Sequence, residues 1–155
     1  HLFRTALASC FSGATALEES RRLQSVEITH SKGHRLAGLL IAAWVGVWLE
    51  CNLEPSAGIK LATPEGAAIS VSLRECGEGE ALKRIELRSA NGAFCVSRDC
   101  GAAYVCTKVQ VGNHRHDQML PADLVTDAAL ISEQLSRLGC QSLYLQMVPM
   151  LRGML

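Results

Sequence analysis

The segment LAGLLIAAWVGVWL, from Leu36 to Leu49, runs for 14 residues without a charge. It restricts the fold more than any other feature. A bilayer crossing needs roughly 18–20 such residues, and His34, Arg35 and Glu50 bracket this run closely. The run therefore predicts a buried helix over 34–50, with Trp44 and Trp48 in the core. Asn52 and Pro55 stop it. A helix apolar on all sides must be covered by other elements.

The rest of the chain supplies them. Residues 2–22 carry Leu2, Phe3, Leu7, Phe11 and Leu17 at helical spacing, and Gly13 splits the pattern toward two shorter helices. Leu23 to His30 alternates as a strand. Ile59 to Leu61 begins a strand series, and Ile69, Val71 and Leu73 alternate with Ser70, Ser72 and Arg74. Cys76-Gly77-Glu78-Gly79 is a turn. Ile85 and Leu87 alternate with Arg84, Glu86 and Arg88. Asn91-Gly92 signals a type I′ hairpin. Phe94 to Arg98 and Ala103 to Val111 form the next pair around Asp99-Cys100-Gly101. Short connections predict antiparallel neighbours. After Pro121 a helix is expected, capped by Asp127 and ended by Gly139; Pro149 limits a last apolar helix in Leu143–Leu151. The prediction is one α+β domain over residues 1–155, with a mostly antiparallel strand meander and helices on one face.

Composition fits this. The apolar fraction is 48% and the formal net charge is +0. Neither points to disorder or to a nucleic-acid partner. The chain opens on His1-Leu2-Phe3-Arg4 without a signal-peptide pattern. It reads as a cytoplasmic domain, the C-terminal part of a longer protein. Its 7 cysteines are an odd number at irregular spacing, as expected for reduced thiols.

No phosphate loop, dinucleotide fingerprint, zinc-protease motif or nucleophile elbow is present. Asp123 and Asp127 read as helix caps. His114 and His116 flank Arg115 in a polar loop, and an H-x-H pair joined by a cysteine is one way to hold a metal. The cysteine spacing does not support it. The reading is of no catalytic residues, no metal and no cofactor, with a metal- or ligand-binding domain as the alternative.

Cys95, Cys100 and Cys106 are more informative. A hairpin centred on Cys100-Gly101 sets Cys95 opposite Cys106, about 4.5–5.5 Å apart at Cα and within disulfide reach. Parity places Ile85, Leu87, Phe94, Val96, Val105 and Val109 on a core face. Glu86, Arg88, Cys95, Ser97, Tyr104, Cys106 and Lys108 fall on the other. Thiols beside Arg88 and Lys108 are expected to favour the thiolate. A disulfide closing so short a loop adds roughly 2–3 kcal/mol, enough to reshape a strand edge. Arg88, Tyr104 and Lys108 make the polar face a candidate partner surface; a tryptophan of the long helix is the other candidate anchor.

Four stretches carry a family resemblance: LQSVEITHSKGHRLAGLLIAAWVGVWL (Leu23–Leu49), ALKRIELRS (Ala81–Ser89), FCVSRD (Phe94–Asp99) and LSRLGCQSLYLQMVPMLR (Leu135–Arg152). In order and length they resemble the C-terminal domain of the glucose-6-phosphate dehydrogenase assembly proteins, OpcA, in the cyanobacterial form. The resemblance implies a non-catalytic allosteric activator that binds glucose-6-phosphate dehydrogenase and supports the oxidative pentose phosphate pathway. It also implies thioredoxin control, with the oxidised form activating. The pairing it favours is Cys100 with Cys106, whereas hairpin geometry favours Cys95 with Cys106.

Overall fold

The computed structural model describes residues 2–54, 56, 58–122 and 142–155. The helix expected over 127–138 lies outside them. Two short helices open the chain, α1 (Leu2–Ser9) and α2 (Ala14–Ser20), broken at Gly13 as the pattern requires. Strand β1 (Leu23–Ser31) leads into α3 (Arg35–Trp48). Seven strands follow: β2 (Asn52–Glu54), β3 (Ile59–Ala62), β4 (Ala68–Cys76), β5 (Leu82–Ser89), β6 (Gly92–Ser97), β7 (Tyr104–Val111) and β8 (His114–Pro121). The last described element is α4 (Ser142–Met154), which continues through Pro149. Among the described residues, no helix is long and apolar enough to cross a membrane.

The strands form one 8-stranded sheet in the order β2-β3-β4-β1-β5-β6-β7-β8. This is the expected α+β architecture, with one departure. β1 is inserted between β4 and β5, parallel to the first and antiparallel to the second. Consecutive strands β4 and β5 are therefore not neighbours, and residues 77–81 cross the end of β1. That crossing is tied down: Ser31 N–H donates to the Ala81 carbonyl at 3.2 Å, Lys32 N–H to Gly77 at 3.2 Å, and the Ser31 hydroxyl to Glu80 at 2.5 Å.

The covered face is built by alternation. Val26, Ile28, Ile69, Ile85, Leu87, Phe94, Val96 and Val105 are buried in register with one another. α3 lies over β1 and β4, and α1 over β6 and β7. α3 comes close because Gly38 has no side chain: a Cβ there would sit 2.7 Å from Leu73 Cδ2. Phe11 joins the two halves of the core, 4.5 Å from the Phe94 ring and 4.8 Å from Trp48 between centroids. Trp44 is buried, but Trp48 is only half-buried, so the expectation of two core tryptophans holds for one.

The β5–β6 hairpin forms, though not as a type I′ turn. Ala90 and Asn91 occupy its tip, and among the described residues Glu50 is the sole non-glycine with positive φ. Gly92 is needed for space instead: a Cβ would meet Ser89 Oγ at 3.0 Å and the Phe94 ring at 3.3 Å.

Candidate functional site

The other face of the sheet carries no helix among the described residues, and the registers arrange it in rows. The central row reads Ser72, Glu27, Glu86, Cys95, Lys108, Asp117 from β4 to β8. One flanking row reads Arg74, Thr29, Arg84, Ser97, Cys106, Met119, and the other Ser70, Ser25, Arg88, Ala93, Gln110, Arg115. A central row rich in carboxylates is thus flanked by arginines. Ion pairs link the rows: Arg74 to Glu27 at 3.1 Å, Arg84 to Glu86 at 2.6 Å, Arg88 to Glu86, and Arg115 to Asp117 at 2.7 Å.

Glu86 is the anchor of this pattern. Burial pushes its carboxyl up, but the hydrogen bonds and charges of Arg84 and Arg88 outweigh that and hold it below the usual range. The three arginines of β4 and β5 stay largely exposed, so each pair adds little to stability. Their effect is to fix cationic groups over a broad surface. Eight strands at about 4.8 Å spacing span about 34 Å. A one-sided antiparallel sheet carries a polar face in any case; the ordered rows of opposite charge are what this one adds.

Arg88, Tyr104 and Lys108 share this face, as their parity predicts, without forming one cluster. Arg88 and Lys108 occupy adjacent rows. Tyr104 lies at the far end of β7, 42% exposed, opposite Pro121.

The cysteine geometry departs from the sequence reading. Cys95 faces Lys108, and Cys106 faces Ser97. The turn is where the sequence puts it, with Ala102 N–H donating to the Asp99 carbonyl at 3.0 Å. The ladder, however, restarts two residues later on the β7 side. Arg98 is drawn instead toward β5: its N–H donates to Lys83 at 2.9 Å and its guanidinium pairs with Glu80 at 2.7 Å. A shift of two residues keeps every side chain on its face and changes every partner. Cys95 and Cys106 become diagonal neighbours, about 7–8 Å apart, too far for a bond without backbone movement.

The thiolate expectation at Cys95 is also corrected. Burial raises this thiol; Arg84 and Lys108 oppose the rise, Glu86 adds to it, and the net direction is up. Cys10 and Cys51 are buried and pushed up to about 12 and about 11, chiefly by loss of water. Cys100 is the exposed thiol among the described residues. It lies against the 77–81 crossing, since a Cβ on Gly79 would be 3.5 Å from its sulfur and 3.8 Å from Lys83 Nζ. All six described cysteines are free thiols.

His114 and His116 lie on β8, not in a loop, and both are exposed. Among the described residues no three His, Cys, Asp or Glu side chains gather to hold a metal. A cavity of about 380 Å³ opens at the opposite layer, between Leu17, Arg21, Trp48, Glu50 and Glu65. The sequence pattern gives no sign of it because its walls come from three separated segments.

No curated protein matches the chain in sequence. Among solved structures, a 3-ketoreductase from Actinomadura kijaniata, in complex with NADP and TDP-benzene, aligns with a TM-score of 0.57 at 12% identity over 95% of this chain and 55% of that one. A variant of that enzyme aligns at 0.56 with 14% identity, over 99% and 58%. At this identity the likeness is one of fold, and the chain spans little more than half the length of those structures. The sequence match is of another kind. It covers residues 1–148, and by it the chain belongs to the family of C-terminal domains of the glucose-6-phosphate dehydrogenase subunit.

Proposed function

We propose that this domain is a non-catalytic allosteric activator that docks on glucose-6-phosphate dehydrogenase through the open face of its sheet. Family membership over nearly the whole chain carries the reading. The charge rows support it, because a face with fixed arginines over a carboxylate row can set register against a partner of complementary pattern. Arg88, Tyr104 and Lys108 are the contacts assigned to the dehydrogenase. Activation is then a difference in affinity for the enzyme's active and inactive states, in the cytoplasm.

Thiol control fits the loop 98–103. Oxidation of Cys100 and Cys106 to a disulfide releases two electrons and two protons to an oxidant, and a thioredoxin dithiol returns them. The bond would draw the Cys100 sulfur off the 77–81 crossing and loosen the end of the sheet beside Tyr104. Cys95 with Cys106 would need movement of the strand backbones, because the two lie diagonally across the ladder, whereas Cys100 with Cys106 needs the loop 98–103 to fold back on β7.

The test is to titrate purified glucose-6-phosphate dehydrogenase with the intact oxidised or reduced protein and follow its substrate dependence. A lowered KM or a shifted oligomeric state, stronger with the oxidised form and lost in Cys106→Ser, is expected. No effect of either form on activity or assembly would overturn the reading.

A further inference from the structure

The two edges of the sheet are unlike. β2 has 3 residues, whereas β8 has 8 and is exposed along nearly its whole length. Among the described residues no strand pairs with the outer edge of β8. Such an edge presents a row of unpaired N–H and C=O groups, a template for another strand. Charges on an edge usually discourage random pairing. Here they also distinguish one register from the rest.

On β8, Arg115, Asp117 and Met119 point to the open face, and His114, His116 and Gln118 to the other, as their β7 partners dictate. A two-fold axis perpendicular to the sheet joins two copies antiparallel and keeps each face on its own side. Residues opposite one another must then share parity. An axis at residue 115 sets Arg115 against Arg115. An axis at 117 sets Asp117 against Asp117. An axis at 118 sets both charges against uncharged residues, Met119 and Pro121. An axis at 116 sets Arg115 against Asp117 twice, once on each side. Directly opposed unlike charges stabilise a strand pair and like charges destabilise it. The ion pair within each strand, 2.7 Å long, already brings these two side chains together on one face.

We infer that β8 pairs with β8 of a second copy of this chain about an axis at His116, joining two 8-stranded sheets edge to edge. The contact spans His114 to Gln118 of each copy and leaves the open faces free on one side.

Sedimentation of the intact protein tests this. The wild-type protein is expected to dimerise with concentration. Arg115→Asp alone puts acids opposite acids, and Asp117→Arg alone puts bases opposite bases; each should weaken the dimer about tenfold or more. Mixed in equal amounts, the two variants should associate again, because the acidic strand of one meets the basic strand of the other. An ion pair used only within its own strand gives no such rescue. His116→Cys should also yield an intermolecular disulfide under mild oxidation that wild type and Gln110→Cys, on β7, do not. A protein monomeric at every concentration, a dimer indifferent to both reversals, or variants that fail to associate on mixing would overturn the inference.

Discussion

Phe94→Ala is expected to cost the domain about 3–5 kcal/mol, a large part of the roughly 5–15 kcal/mol typical of a folded domain. Phe94 is fully buried at the middle of the covered face. It sits between Leu87 and Val109 in register and packs at 4.5 Å, ring tilted, against Phe11, which in turn meets Trp48. The ring thus joins the β5–β7 half of the sheet to α3. Truncation removes its transfer energy and leaves a cavity that the strand backbones cannot close. Denaturant unfolding should show a lower midpoint at unchanged slope. Its chain neighbour Cys95 points to the open face, and Cys95→Ala should cost under about 1 kcal/mol. A Phe94→Ala cost as small as that would contradict the assignment of faces.

Alkaline pH should destabilise the domain steeply. Cys10 and Cys51 ionise near 9.0 when unfolded and at about 12 and about 11 when folded. Burial raises both, so the folded state holds these protons more tightly. Their contribution is complete below pH 9 and is lost as pH rises through the folded values. Between about pH 9.5 and 10.5 the folded state keeps most of the two protons that the unfolded state releases, a slope of about 2 kcal/mol per pH unit. Cys10, the more strongly raised of the two, accounts for the larger share of the loss. Cys10→Ser keeps the hydrogen bond to the Ala6 carbonyl, made at 3.4 Å by the thiol, and removes the titration. It should halve the slope. A wild-type stability flat from about pH 9 to 10.5, or a Cys10→Ser slope equal to wild type, would contradict this.

Much of the fold was legible because it follows local period. The apolar run gave α3, Gly13 divided α1 from α2, and the alternation in β1 and β4–β7 sorted the two faces correctly. Faces survive errors of register, since a two-residue slip preserves parity. Partners do not, and that is why Cys95 and Cys106 were wrongly opposed. The deciding contacts, Arg98 with Lys83 and Glu80, join segments 15 or more residues apart and leave no periodic trace. The insertion of β1 between β4 and β5 is hidden for the same reason. β8 was missed because an exposed edge strand need not alternate: His-Arg-His-Asp-Gln-Met reads as a loop until its β7 partner is known. The charge rows of the open face are a product of register alone. Parity already set Glu86 between Arg84 and Arg88, but not that Glu27 and Cys95 would flank Glu86 across the strands, or that Lys108 would face Cys95.

If the open face holds glucose-6-phosphate dehydrogenase, its cationic residues must contribute to the affinity. The most direct test measures the affinity of the intact protein for the purified enzyme, beside an Arg88→Glu/Lys108→Glu variant. Both residues are exposed, so the variant should unfold at the wild-type temperature within a few degrees. Its affinity is expected to be weaker by about 30-fold or more, near 2 kcal/mol, with a shallower dependence on salt. An affinity within about twofold of wild type, at equal salt and equal stability, would contradict docking through this face.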